Sequence, residues 1–325
     1  MHYAKTASKV REQIIKFSGE LSAGWPKVSR RFLAEAIYGI QARQSVHLTE
    51  IARALGEKIS LKKTQYRLSR QLGRDDLGSK VIKGLFDLAA PRVEKKTLLI
   101  LDISDIKKKY ARKMEHLARI RDGSEETLAN GYWTIQVIAA EAGKTSLVPL
   151  YGSLYSQRSP YFQSENLEIR GAINKVSKAT EKKGKETIYD LQFGARPVKL
   201  PGRSEPLYLV VVRGFGQEPM MLLTDLRVTK SRKSIWQIIE SYLTRWRIEE
   251  TIRFLKQSYQ VEDIRLLTYN RLQNMMAILT VVAFFAMVYL GLKTKLRVLS
   301  RHVMGAAKRL FGIPDFHFYA LADGI

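Results

Sequence analysis

Tyr242, Arg245, Glu249 and Lys256 set a phenol, a guanidinium, a carboxylate and an ammonium at successive spacings of three, four and seven residues. On a helix turning about 100° per residue, they project within an arc of roughly 60°. Ile248, Ile252 and Leu255 form an apolar stripe beside that arc. Such a helix can bury the apolar stripe and hold the polar one at the edge of a cleft. A solvated face, with Glu249 paired to Arg245 and Arg253, fits the same spacing. A second carboxylate stands out upstream. Lys95 to Ile106 reads as a strand whose Leu98-Leu99-Ile100-Leu101 run is apolar on both faces, which predicts a central position in a sheet. The run ends in Asp102, followed by Ser104 and Asp105. A carboxylate fixed at the end of a buried strand is well placed to hold a metal ion, although an ordinary strand-ending Asp reads equally well.

The surrounding pattern predicts the elements that must position these groups. Residues 1–90 read as helical: Phe32 to Ala42 is amphipathic, and a short helix opens at Leu48-Thr49-Glu50 with Thr49 as its N-cap. Gly56 breaks that helix, and Leu61 to Leu72 follows with Lys62, Lys63, Arg67 and Arg70. Helix, glycine turn and basic helix make a helix-turn-helix outline, which many helical hairpins share. Asp75-Asp76 and Pro91 mark a boundary. Tyr132 to Glu141 and Thr145 to Gly152 read as strands joined by a hairpin at Gly143-Lys144, and Glu165 to Lys183 as a helix ended by Gly184. Residues 187–193, 207–213 and 220–225 read as further strands. The helix carrying the polar stripe then runs from about Ser234 to Ser258, preceded by the basic loop Arg227 to Lys233.

Composition narrows the partners. The 325 residues carry 55 Lys and Arg against 31 Asp and Glu, a net charge of +24 that favours a polyanion. Basic residues are spread along the chain, which suits nucleic acid better than a membrane surface. The absence of cysteine excludes disulfides, cysteine-based zinc sites and thiol catalysis. None of the five histidines falls at a metal-ligand spacing. Met275 to Leu292 has no charged residue and meets the minimum length for a membrane span; its Thr280 and small alanines favour a buried core helix. No signal-peptide core opens the chain, which predicts a cytoplasmic, nucleoid-associated protein. Residues 293–314 hold six basic residues and no acid, either a DNA-contacting tail or a solubilising face.

The polar stripe also resembles a known family. Tyr242-x2-Arg245-x3-Glu249-x6-Lys256 is similar, without deviation in residue or spacing, to the C-terminal signature of insertion-sequence transposases of the DDE class, in the IS-four family. Asp102-Ile103-Ser104-Asp105 resembles the context of that family's first catalytic Asp. The resemblance implies a ribonuclease H-like α/β catalytic domain over residues 91–270, with a shortened β-rich insertion at about 187–226. It also implies a helical DNA-binding region over residues 1–90 and a C-terminal helical segment over 271–325. Asp102 and Glu249 would hold Mg²⁺ or Mn²⁺, two ions in a complete site. Tyr242, Arg245 and Lys256 would face transposon-end DNA, with Lys62, Lys63, Arg67 and Arg70 as further DNA contacts. The implied partners are duplex DNA and a second copy of the chain on that DNA.

One carboxylate departs from the family pattern. Phosphodiester cleavage by two ions roughly 3.5–4 Å apart needs about three acidic residues to hold the pair. The family's second Asp precedes Arg-Gly, and no Asp-Arg-Gly occurs in this chain; the closest echo is Val212-Arg213-Gly214. Asp190 stands in the right order after the helix, whereas Asp225 lies late, just before the signature helix. A deletion near Gly184 to Thr187 would explain both this departure and the short insertion. The expectation is therefore a transposase by descent, weak or inactive as a nuclease, with a non-catalytic DNA-binding remnant as the alternative.

Overall fold

Five helices open the chain because its apolar residues recur at helical spacing and its turns fall at Gly24, Gly56 and Gly73. They are α1 (Tyr3–Leu21), α2 (Lys27–Arg43), α3 (Leu48–Leu55), α4 (Leu61–Leu72) and α5 (Leu77–Ala89). The computed structural model describes residues 3–94, 97–123, 125–141, 146–177, 192–201, 207–213, 219–229 and 231–291. Asp190, the Gly143-Lys144 turn, Gly184 and the basic stretch 293–314 lie outside the described residues. The N-cap of α3 is His47, not Thr49, which sits inside the first turn. Gly56 ends α3 in the left-handed region (φ 56°), a conformation that glycine adopts without a Cβ clash.

The first sheet holds β1 (Leu98–Lys107), β2 (Ala118–Arg121), β3 (Leu128–Ala140) and β4 (Leu147–Tyr155). All its pairings are antiparallel, and β3 is the central strand, with β1 on one side and both β2 and β4 on the other. The expectation of a central β1 is thereby corrected: among the described residues β1 pairs only with β3, and Leu99 is 42% exposed. Strand β2 was not anticipated; its four residues are too few for a period-2 signal. After α6 (Glu165–Ser177) comes a second sheet, a meander of β5 (Gln192–Val198), β6 (Leu207–Arg213) and β7 (Met220–Thr224). Strand β5 runs past the expected end at 193 to Val198, while residues 187–191 lie outside the described residues. It includes Pro197, tolerated because β5 is an edge strand of this sheet.

Helix α7 (Arg232–Tyr259) joins the two sheets. Ser231 caps it, its hydroxyl accepting from the Ser234 N–H at 3.2 Å. Its first half packs Ile235 and Ile239 against Val210, Val212 and Leu222 of the second sheet. Its second half packs Ile248, Ile252, Phe254 and Leu255 into the main core. Helix α8 (Tyr269–Met287) follows, and its uncharged run is buried throughout. Among the described residues, no helix is long and apolar enough to cross a membrane.

The main core takes in α1–α6, strands β1, β3 and β4, α7 and α8 as one cluster, so the helical region and the sheet share their interior. Two polar devices fix α8 within it. Gly152 on β4 lets α8 approach so closely that a Cβ there would collide with Thr280 Oγ1. Asn274 donates to the Leu72 and Arg74 carbonyls at 2.7 and 2.8 Å and accepts from the Gly78 N–H at 2.8 Å, tying α8 to the α4–α5 turn.

Candidate active site

Helix α7 crosses near β1 and brings Glu249 toward Asp102 across an open cleft of about 590 Å³. Ile252 and Ile103 line the cleft beside them, and Gln257, Glu262 and Asp263 line it further along. Two carboxylates in one half-buried space repel each other. Burial pushes the Asp102 carboxyl above its ordinary range, and the charge of Glu249 pushes it the same way. The Ile103 backbone hydrogen bond and Arg245 act in the opposite direction without cancelling the rise. A cation between the two carboxylates would relieve that repulsion.

Of the polar stripe, Glu249 and Lys256 line the cleft and Tyr242 and Arg245 do not, and its members are not all free. Arg245 pairs with Glu249 at 2.9 Å and lies 5.6 Å from the Tyr242 ring and 5.5 Å from the Trp246 ring. Tyr242 rests against the small core of the second sheet, and Trp246 is 51% exposed. Lys256 is engaged between Asp105 at 3.4 Å and Glu262 at 3.2 Å. It therefore fastens β1 to the turn after α7, and Asp105 serves as its counter-charge.

Lys108 is a residue that sequence reasoning missed. It is buried at 4% exposure and donates to the carbonyls of Val261, Glu262 and Ile264 in the same turn. Burial pulls its ammonium down to about 7, opposed by Asp263 and Glu262. No local pattern distinguishes Lys108 from its neighbours Lys107 and Lys109; only the fold places it against those carbonyls.

The basic helix α4 presents Lys62, Lys63 and Arg70 to solvent, with Lys62 above the Tyr66 ring at 5.9 Å. Arg67 differs from them. It bridges Glu57, at 2.8 Å, and Glu35, so its charge is largely met within the protein. Burial pushes the Glu57 carboxyl up, but hydrogen bonds from Thr64 and Arg67 and the charges of Arg67 and Arg31 carry it below its usual range.

Asp102 and Glu249 are hard oxygen donors, suited to one divalent ion completed by water or phosphate oxygens. Among the described residues, no group of three His, Cys, Asp or Glu side chains is arranged to hold a metal. Asp225 lies exposed just past β7, on the second sheet.

Residues 166–285 match the protein family described as a transposase DDE domain. The matched stretch runs from α6 into α8; it contains the second sheet, all of α7 and Glu249, but not β1 with Asp102. No curated protein matches the chain.

Proposed function

We propose that the chain is a DDE-class transposase, with a ribonuclease H-like catalytic domain that binds transposon-end duplex DNA and acts on its phosphodiester backbone with a divalent metal. The observation that carries the proposal is the convergence of Asp102, from β1, and Glu249, from α7, on one cleft. The family match over residues 166–285 supports it, as does the net charge of +24. A bound Mg²⁺ or Mn²⁺ would activate the attacking oxygen and stabilise the leaving one. The protein's own residues do the rest. Asp102 and Glu249 supply the negative field that selects a cation. Arg245, poised between Glu249 and the aromatic faces of Tyr242 and Trp246, offers its guanidinium fork to a phosphate at the cleft mouth. Lys256 holds the strand end and the following turn at fixed separation, so the two carboxylates do not drift apart. Lys62, Lys63 and Arg70 on α4 give a second surface for the DNA backbone.

The test is strand cleavage of the element's own ends in Mn²⁺, by the wild type and by Asp102→Ala and Glu249→Gln. Cleavage that disappears in both variants, with duplex binding retained, supports the proposal. Duplex binding without any cleavage selects the remnant reading, in which the chain occupies transposon ends without cutting. Cleavage that survives Asp102→Ala removes the assigned site.

A further inference from the structure

Away from the cleft, the loops after β1 and after β4 converge on a cavity of about 420 Å³ lined by Arg112, His116, Arg119, Asn130 and Arg158. The three arginines are exposed, and none pairs with a carboxylate among the described residues. Arg119 is aimed by neutral acceptors alone: Asn130 Oδ1 at 3.4 Å and the Leu128 carbonyl at 3.1 Å. Glu115, next to His116 in sequence, accepts from the Tyr269 N–H at 2.7 Å and lies 3.8 Å from His116. The cavity walls are tied together. Ser156 donates to the His116 carbonyl at 2.5 Å, Asn130 donates to the Ala111 carbonyl at 3.1 Å, and the His116 ring meets Tyr269 edge-on at 5.1 Å. Each loop also carries an exposed tyrosine, Tyr110 at 85% and Tyr161 at 86%. Uncompensated guanidinium groups beside exposed aromatic rings suit a nucleic-acid backbone.

Register relates this cavity to the cleft. Asp102 pairs with Gln136 across the β1–β3 ladder, and Arg119 pairs with Asn130 across the β2–β3 ladder. Gln136 and Asn130 are six residues apart on β3, so all four side chains share one face of the sheet, and the two sites are separated by roughly 20 Å. Between them on that face Tyr132, Thr134 and Gln136 are buried, so a duplex joining the two sites passes over the elements that cover β3, and with a phosphate about every 1.7 Å of axis, counting both strands, it has phosphates to offer at both.

We infer that the Arg112–Arg119–Arg158 cavity is a phosphate-binding point for the duplex whose reactive phosphate lies at Asp102 and Glu249. The inference rests on the DNA reading of that cleft. It gives the direction in which the duplex leaves the cleft: over the elements covering β3, toward the β2 end of the sheet.

The test is anisotropy titration of labelled duplex DNA over a salt series with Arg112→Gln, Arg158→Gln and their double variant. Lys83→Gln, an exposed position on α5 paired with Asp87, controls for generic charge loss. Each cavity variant is expected to weaken binding about 3- to 10-fold, whatever the base sequence, and to lower the log–log salt slope by about one, with the control near wild type. Unchanged unfolding temperatures would show that the loss is not structural. If wild type binds duplex and the cavity variants bind equally well, or no worse than Lys83→Gln, the cavity inference falls while the DNA reading stands. If wild type binds no duplex at low salt, both fall together.

Discussion

At the scale of single residues, the assigned site carries a cost that can be measured. The Asp102 carboxyl is pushed upward by burial and by Glu249, so its ionised form is disfavoured in the folded state. A carboxyl whose folded pKa is raised binds more protons folded than unfolded, so its contribution to stability falls as pH rises through that pKa. Asp102→Asn removes the charge and keeps the shape. The variant is therefore expected to melt above wild type at neutral pH, with the gap closing as pH falls and Asp102 becomes protonated. Thermal melts of both proteins across that range check it; a variant less stable at neutral pH would show that the Arg245 and backbone contacts outweigh burial. That Asp102 sits on an apolar strand and Glu249 on a polar helix stripe is legible as local pattern, whereas pairing them as metal ligands rests on the family resemblance. The engagement of Arg67 and Lys256 is not legible in this way, since Glu35, Glu57, Asp105 and Glu262 are brought to them only by tertiary folding.

At the scale of elements, α7 splits its labour between burial and recognition. Ile248 is fully buried in the main core, whereas Arg245 is partly exposed and, among the described residues, its carboxylate partner is Glu249. Ile248→Ala should cost about 2–5 kcal/mol of stability through lost burial and a cavity. Arg245→Ala should change stability by at most about 1 kcal/mol, as exposed ion pairs do, yet weaken duplex binding. Denaturant unfolding and DNA titration of the two variants separate the roles. Equal destabilisation would make Arg245 structural. The bounds of α4 and β6 matched the sequence pattern to the residue, because α4 is amphipathic and β6 is an unbroken apolar run. The edge position of β1 was hidden, because an apolar run reports how hydrophobic a strand is and not which strands flank it. The end of β5 is missed because Pro197 reads as a breaker, although an edge strand accepts it.

At the scale of the whole molecule, one core binds helices and sheet together, while a charge of +24 covers the outside. Such a surface should bind duplex DNA with an affinity that falls steeply with salt, about one unit of log–log slope for each phosphate neutralised. A flat salt response would remove nucleic acid as the partner. The shared core was not evident from composition: Asn274 and Gly152, which fasten α8 to the α4–α5 turn and to β4, look unremarkable in a linear pattern.

The central claim is that Asp102 and Glu249 share a divalent cation, and binding of Mn²⁺ followed by electron paramagnetic resonance tests it most directly. Wild type should bind Mn²⁺ at a site that Mg²⁺ displaces, and both Asp102→Asn and Glu249→Gln should lose it while remaining folded. Undiminished Mn²⁺ binding in either variant would contradict the account.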